Sequence, residues 1–325
     1  MVVMATIPSE ANDSDPSLIE VAKAFGFDET QVESLRAGKT VSANLDANSD
    51  NELALSMALL SHQDVAWHEN RLVESRTSDP STRMRGELTG DGKASLEAWT
   101  MPDEELDRLA EIEAGPNANF SMDEIALLHA ASEANPDPKK RRAALQSVMR
   151  EILAARYSEY RTGGLAAVSP YARGGGKETS PAPQLERAFD ALRITKQLVP
   201  DTYTAMANFP ATPAEGVTSR FYWIMHDAQD RVVVALSHVV FGREGDRLAV
   251  VERRFYVSHT LNSLQVVAIA FPIDEGTAIF YANRTGTDQV TGFGSSIAKG
   301  VGRTIMRGQL ERMIEAFQKD AARQD

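Results

Sequence analysis

Five apolar, strand-like segments follow one another between Val217 and Arg284, and they restrict the fold more than any other feature: RFYWIMHD, RVVVALSHVVF, LAVVERRFYVSH, LQVVAIAFP and TAIFYANR. Breaks as short as DAQD and GREGDR favour antiparallel neighbours, because a parallel crossover needs a much longer connection. GFGSSIAKGVGRTIMRGQLERMIEAFQ then changes to helical spacing. The predicted fold class is α+β, an antiparallel sheet closed by a long C-terminal helix, with a large and mainly helical insertion before it. Val232, Val234, Leu236 and Val240 alternate with Val233, Ala235, Val239 and Phe241, which makes this strand central and covered on both faces. The next strand puts Glu252 and Arg254 on one face and Arg253 on the other, so at least one charge points toward a covered surface.

The closing helix carries two apolar sets. At about 100° per residue Phe293, Ile297, Val301 and Ile305 share one side, while Met306, Leu310, Met313, Ile314 and Phe317 lie nearly opposite. The spacing predicts either a break near Ile305, where Gly300, Gly302 and Gly308 weaken the helix, or a helix covered on two sides.

Upstream, 1–15 reads as a flexible amino terminus and 16–75 as two short helices, a hairpin and a third helix capped by Ser61. The span 76–216 reads as the helical insertion. Within it, Ser75 to Gly92 is a loop or weak hairpin, and helices follow Pro102, Ser121 and Pro138. The glycine- and proline-rich stretch at 169–183 is an exposed loop, PQLERAFDALRITKQL one helix, and VPDTYTAMANFPATPAEG an irregular connection into the sheet at 217–325.

Composition excludes several function classes. With 325 residues and 42% hydrophobic content the chain can build a real core, yet no apolar run approaches the roughly 18 to 20 residues of a membrane span. The absence of cysteine rules out disulfides, thiolate metal sites and a cysteine nucleophile. The net charge of −12 comes from the residues before Val217, and an acidic chain repels phosphate backbones, so nucleic acid is not an expected partner. The amino terminus lacks the basic region and apolar core of an intact secretory signal.

The chemical motifs are weak. His226, His238 and His259 lie on successive strands, but their register separates them too far to share a metal. Ser258 and His259 are adjacent on a strand and face apart. GGGK at Gly174 to Lys177 lacks the first glycine of a phosphate loop, and GFG at Gly292 to Gly294 lacks the third glycine of a dinucleotide fingerprint. Lys299, Arg303 and Arg307 form a basic ridge that reads as a solvated helix face. No catalytic residue, metal or cofactor is assigned, and no protein partner is named.

An antiparallel sheet followed by a long terminal helix resembles the helix-grip architecture of the START and polyketide-cyclase-like proteins, in which the sheet curls around the last helix and leaves a hydrophobic cavity. At finer grain FYW, LSHVV, RRFYVSH and FYANRTGTDQVTGFG are similar to an uncharacterised family of bacterial, often exported proteins. That resemblance implies a periplasmic or secreted location. Members commonly carry a cysteine pair where this chain has EAGPNANF. The cavity implied by the helix-grip resemblance would be lined by Phe221, Trp223, Leu236, Phe255, Phe271, Phe280, Ile297 and Val301, with Arg253 or Arg254 as a polar anchor. The same aromatic residues can equally fill a core. Binding of a lipid- or isoprenoid-like molecule is the leading expectation. An enzyme using His226, His259 or Glu252, or an interaction module presenting an apolar patch on Ala143 to Tyr160, are the alternatives.

Overall fold

The computed structural model describes residues 17–73, 79–192, 194–228, 231–291 and 295–322. The amino terminus expected to be flexible over 1–15 and the GFG motif with Phe293 lie outside the described residues. The chain is α+β. Strands β1 (Val41–Asn44), β2 (Glu52–Ser61), β3 (Thr82–Leu88), β6 (Val217–Ala228), β7 (Arg231–Glu244), β8 (Arg247–Val257), β9 (Ser263–Ile273) and β10 (Gly276–Gly286) form one antiparallel sheet. Its order is β1-β2-β10-β9-β8-β7-β6-β3, and the sheet is not closed into a barrel. The five expected strands pair in succession, as their short connections require. The hairpin of β1 and β2 joins them by pairing β2 along all of β10.

One face of the sheet is covered by helices from the first two-thirds of the chain. The short helices α1 (Leu18–Ala24), α2 (Glu29–Arg36), α7 (Ala182–Asp190), α8 (Ile194–Leu198) and α9 (Pro200–Ala207) pack with Val240, Val251, Val267, Ile269 and Phe280. Beside them α4 (Asp103–Leu109), α5 (Met122–Glu133) and α6 (Pro138–Gly163) pack on Trp223, Met225, Val234, Leu236 and Phe255. Their starts follow the sequence chemistry. Ser17 with Glu20, Asp28 with Gln31 and Ser121 with Glu124 form capping boxes, and Asp137 caps α6 ahead of Pro138. The opposite face is covered by α3 (Val65–Val73) and α10 (Ser295–Ala322), which pack on β8, β9 and β2.

Five local expectations are corrected. Ser61 ends β2, and the side chain that receives an amide of α3 is Asp64, from Trp67. The Ser75 to Gly92 stretch contains β3, the edge strand against β6. Its Arg83, Arg85 and Glu87 suit an edge and hide it from a search for apolar alternation. The 169–183 stretch holds a small hairpin, β4 (Tyr171–Gly174) with β5 (Lys177–Thr179), pinned by fully buried Tyr171 and by Arg173, which donates to Asp288, Asn119 and Asn262. The single helix and irregular connection expected over 183–216 contain parts or all of α7, α8 and α9. Finally, α10 is one unbroken helix covered on one side: Met306, Leu310 and Ile314 are buried, whereas Ile297, Val301 and Ile305 are 74%, 55% and 45% exposed.

A bulge redirects β8. Leu236 pairs with Tyr256 and Ser237 with Arg254, leaving Phe255 as the extra residue, so Phe255 and Tyr256 both reach the helices of the first face. Phe255 stacks on Tyr160 at 4.0 Å, and Tyr256 meets Phe120 and Tyr171 edge-on.

Candidate functional site

A cavity of about 250 Å³ lies between α3, the C-terminal half of α10 and the sheet. Its floor follows from register. Leu248, Ala270, Ile279 and Leu59 stand side by side across β8, β9, β10 and β2, and Val250, Ala268 and Tyr281 form the next row. The two alanines are the short members of rows that are otherwise large. They leave a trough that Met313, Ile314 and Phe317 roof without filling.

Polar groups stand at the walls. His68 Nε2 lies 3.1 Å from Ser61 Oγ, and the ring stacks on Phe317. Burial, followed by the nearby Arg71 charge, lowers the imidazole to about 4, so it is uncharged at neutral pH. Arg71 donates to Asp320 at 2.7 Å, and its guanidinium lies 4.9 Å from the Trp67 ring. These contacts tie α3 to the end of α10. Asp79 and Tyr281 complete the polar lining.

The nine residues expected to line a cavity lie elsewhere. Phe221, Trp223, Leu236 and Phe255 pack with the core beneath α6, and Phe271 and Phe280 with the core beneath α1 and α2. Arg253 is buried on that same face, donating from Nε to Gln265 at 3.1 Å with its guanidinium 5.5 Å from the Phe189 ring. Ile297 and Val301 point away from the sheet. The six apolar strand residues thus fill two core clusters on the face opposite the cavity. Aromatic size drew attention to one face of each strand. The usable signal was the pair of alanines at 268 and 270, spaced by two on a strand whose neighbours carry leucine, valine, isoleucine and tyrosine.

Other groupings offer less. Among the described residues no set of three or more His, Asp or Glu is placed to hold a metal ion. His226 pairs with Val233 and His238 with Phe221, which puts the two imidazoles on opposite faces. His238 is fully buried between Ser219 Oγ and Tyr160 OH, each at 2.9 Å. A serine beside a histidine is the geometry of a nucleophile and its base. Burial, then Arg253, lowers this imidazole well below its usual value, which makes it a poor base and a well-satisfied core group.

Comparison with known family models, curated proteins and solved structures finds no match. The cavity and its lining therefore carry the functional argument.

Proposed function

We propose that this protein binds a compact apolar molecule over Ala268 and Ala270, beneath the C-terminal half of α10. The cavity is the observation that supports this reading. At about 250 Å³ it exceeds a buried cavity of about 150 Å³ that takes up benzene, and it falls below the roughly 300–1,000 Å³ of sites for drug-sized ligands. The matching ligand is a small hydrophobe, or the end of one acyl or isoprenoid chain, rather than a whole two-chain lipid. The helix-grip resemblance points the same way, since that architecture holds its ligand between sheet and terminal helix. In this chain the grip would be made by Met313, Ile314 and Phe317, the half of the helix that follows Leu310.

Titration with a solvatochromic apolar probe tests the proposal. The wild-type protein should bind the probe with saturable enhancement, and Ala268→Phe should abolish it while the protein stays folded. Probe binding that survives Ala268→Phe, or its absence in the wild type, would refute the reading.

A further inference from the structure

The sheet ends in two edge strands, and they differ. β1 is four residues long and is tied down by its neighbours: Gln31 Nε2 donates to the Ser42 carbonyl at 3.0 Å, and Arg307 holds the Asn44 side chain at 3.1 Å. β3 ends the sheet beyond β6, so one side of its backbone faces outward with N–H and C=O groups outside the ladder. A bulge at Arg83 turns that residue to Asp227 at 2.7 Å and leaves 84–88 in unbroken register with β6. Charges and bulges keep an edge from pairing with arbitrary strands. The order of the charges on β3 admits one particular partner.

Register sets which side chains share a face. Arg85 and Glu87 pair with Ile224 and Tyr222 on one face, while Met84, Gly86 and Leu88 pair with Met225, Trp223 and Phe221 on the other. The Arg85 guanidinium lies over the Tyr222 ring, 3.6 Å from its centre, which fixes that charge on the sheet. Glu87 is exposed and forms no ion pair among the described residues. Two copies of β3 related by a twofold axis pair antiparallel, and each face stays continuous when the axis passes through a paired residue. Centred on Arg85 or on Glu87, that residue meets its own copy, so like charges stand opposed. Only centring on Gly86 sets Arg85 against Glu87 in both directions. The same register puts Met84, 39% exposed, beside Leu88 of the second copy and glycine against glycine on the axis.

We propose that β3 is a self-association edge, where a second copy of this chain pairs antiparallel about Gly86 and continues the sheet from one molecule into the next. Two Arg85 to Glu87 pairs select the register, since opposite charges directly across a strand pair stabilise it and like charges destabilise it. Residues 84–88 of each chain make a contact smaller than the roughly 800 Å² per partner of a standard interface, so the dimer is weak and forms as concentration rises.

Sedimentation velocity of the full chain, over a series from micromolar to near-millimolar concentration, tests the proposal. The wild type should shift from monomer toward dimer, and amide hydrogen exchange at 84–88 should slow as it does so. Glu87→Lys and Arg85→Glu each bring like charges into opposition and should raise the dissociation constant at least about tenfold. An equimolar mixture of the two variants restores opposite charges at both positions and should dimerise as the wild type does. A wild type that stays monomeric, a dimer indifferent to Glu87→Lys, a mixture of folded variants that fails to associate, or exchange slowed at 297–305 in place of β3 overturns the proposal. If Arg85→Glu does not fold, the loss on Glu87→Lys and the exchange pattern decide.

Discussion

His68 stacks on Phe317 with ring centroids 5.5 Å apart and planes inclined by 21°, so an imidazole joins α3 to α10 directly over the cavity. Burial keeps this ring neutral. With a folded value of about 4 against an ordinary 6.5, the unfolded chain takes up a proton between these values and the folded chain does not. Stability from His68 is therefore complete above pH 6.5 and is lost progressively as pH falls toward 4, at about 1.4 kcal/mol per pH unit. His226 and His259 act with the same sign, since burial lowers both to about 4. Urea unfolding should show stability falling between about pH 6.5 and 5, and His68→Gln should flatten the slope by about one proton. A flat profile across that window would contradict the buried, neutral histidines.

Ala270 stands between Leu248 and Ile279 with the cavity above it. Ala270→Leu should raise stability by about 0.5–2 kcal/mol, because new apolar contacts form in space already present. Thermal denaturation measures this. A fall in the melting temperature would mean that the roof cannot accommodate the larger side chain.

Gly86 on β3 lies under the Trp223 indole, where an added Cβ would come within 2.5 Å of the ring. The indole Nε1 donates to the Ser95 carbonyl at 3.0 Å, which restricts its movement. Gly86→Ala should cost about 1–3 kcal/mol through overpacking, read from the urea midpoint. An unchanged midpoint would show that the edge strand yields freely.

The two apolar sets of α10 should respond very differently to mutation. Ile305, 45% exposed, should tolerate Ile305→Asp within about 0.5 kcal/mol, whereas Leu310, 5% exposed, should lose about 2–5 kcal/mol as Leu310→Ala. Parallel chemical denaturation of the two variants provides the comparison. Equal losses would require the outer face to be covered as well.

The sequence by itself determined that the apolar segments from 217 onward and the early hairpin are strands, that successive strands pair antiparallel, and where most helices begin. These properties are local: side-chain alternation, connections too short for a crossover, and Ser or Asp followed by a reciprocating Glu or Gln. Only the tertiary structure decided which face of each strand meets which helices. On β9 both Val267 and Ile269 and the alternating Val266, Ala268 and Ala270 are apolar, so period-two alternation carries no preference between them. The same ambiguity hid which side of α10 meets the sheet, because the side bearing Val301 and the side bearing Leu310 are both apolar enough to cover one. The polar edge strand β3 was hidden for the opposite reason, since its place depends on hydrogen bonds to β6 more than on apolar alternation. The cavity belongs to this second class. It exists because two alanines on β9 fall in register with large residues on β8, β10 and β2, strands whose pairing is settled by long-range contact.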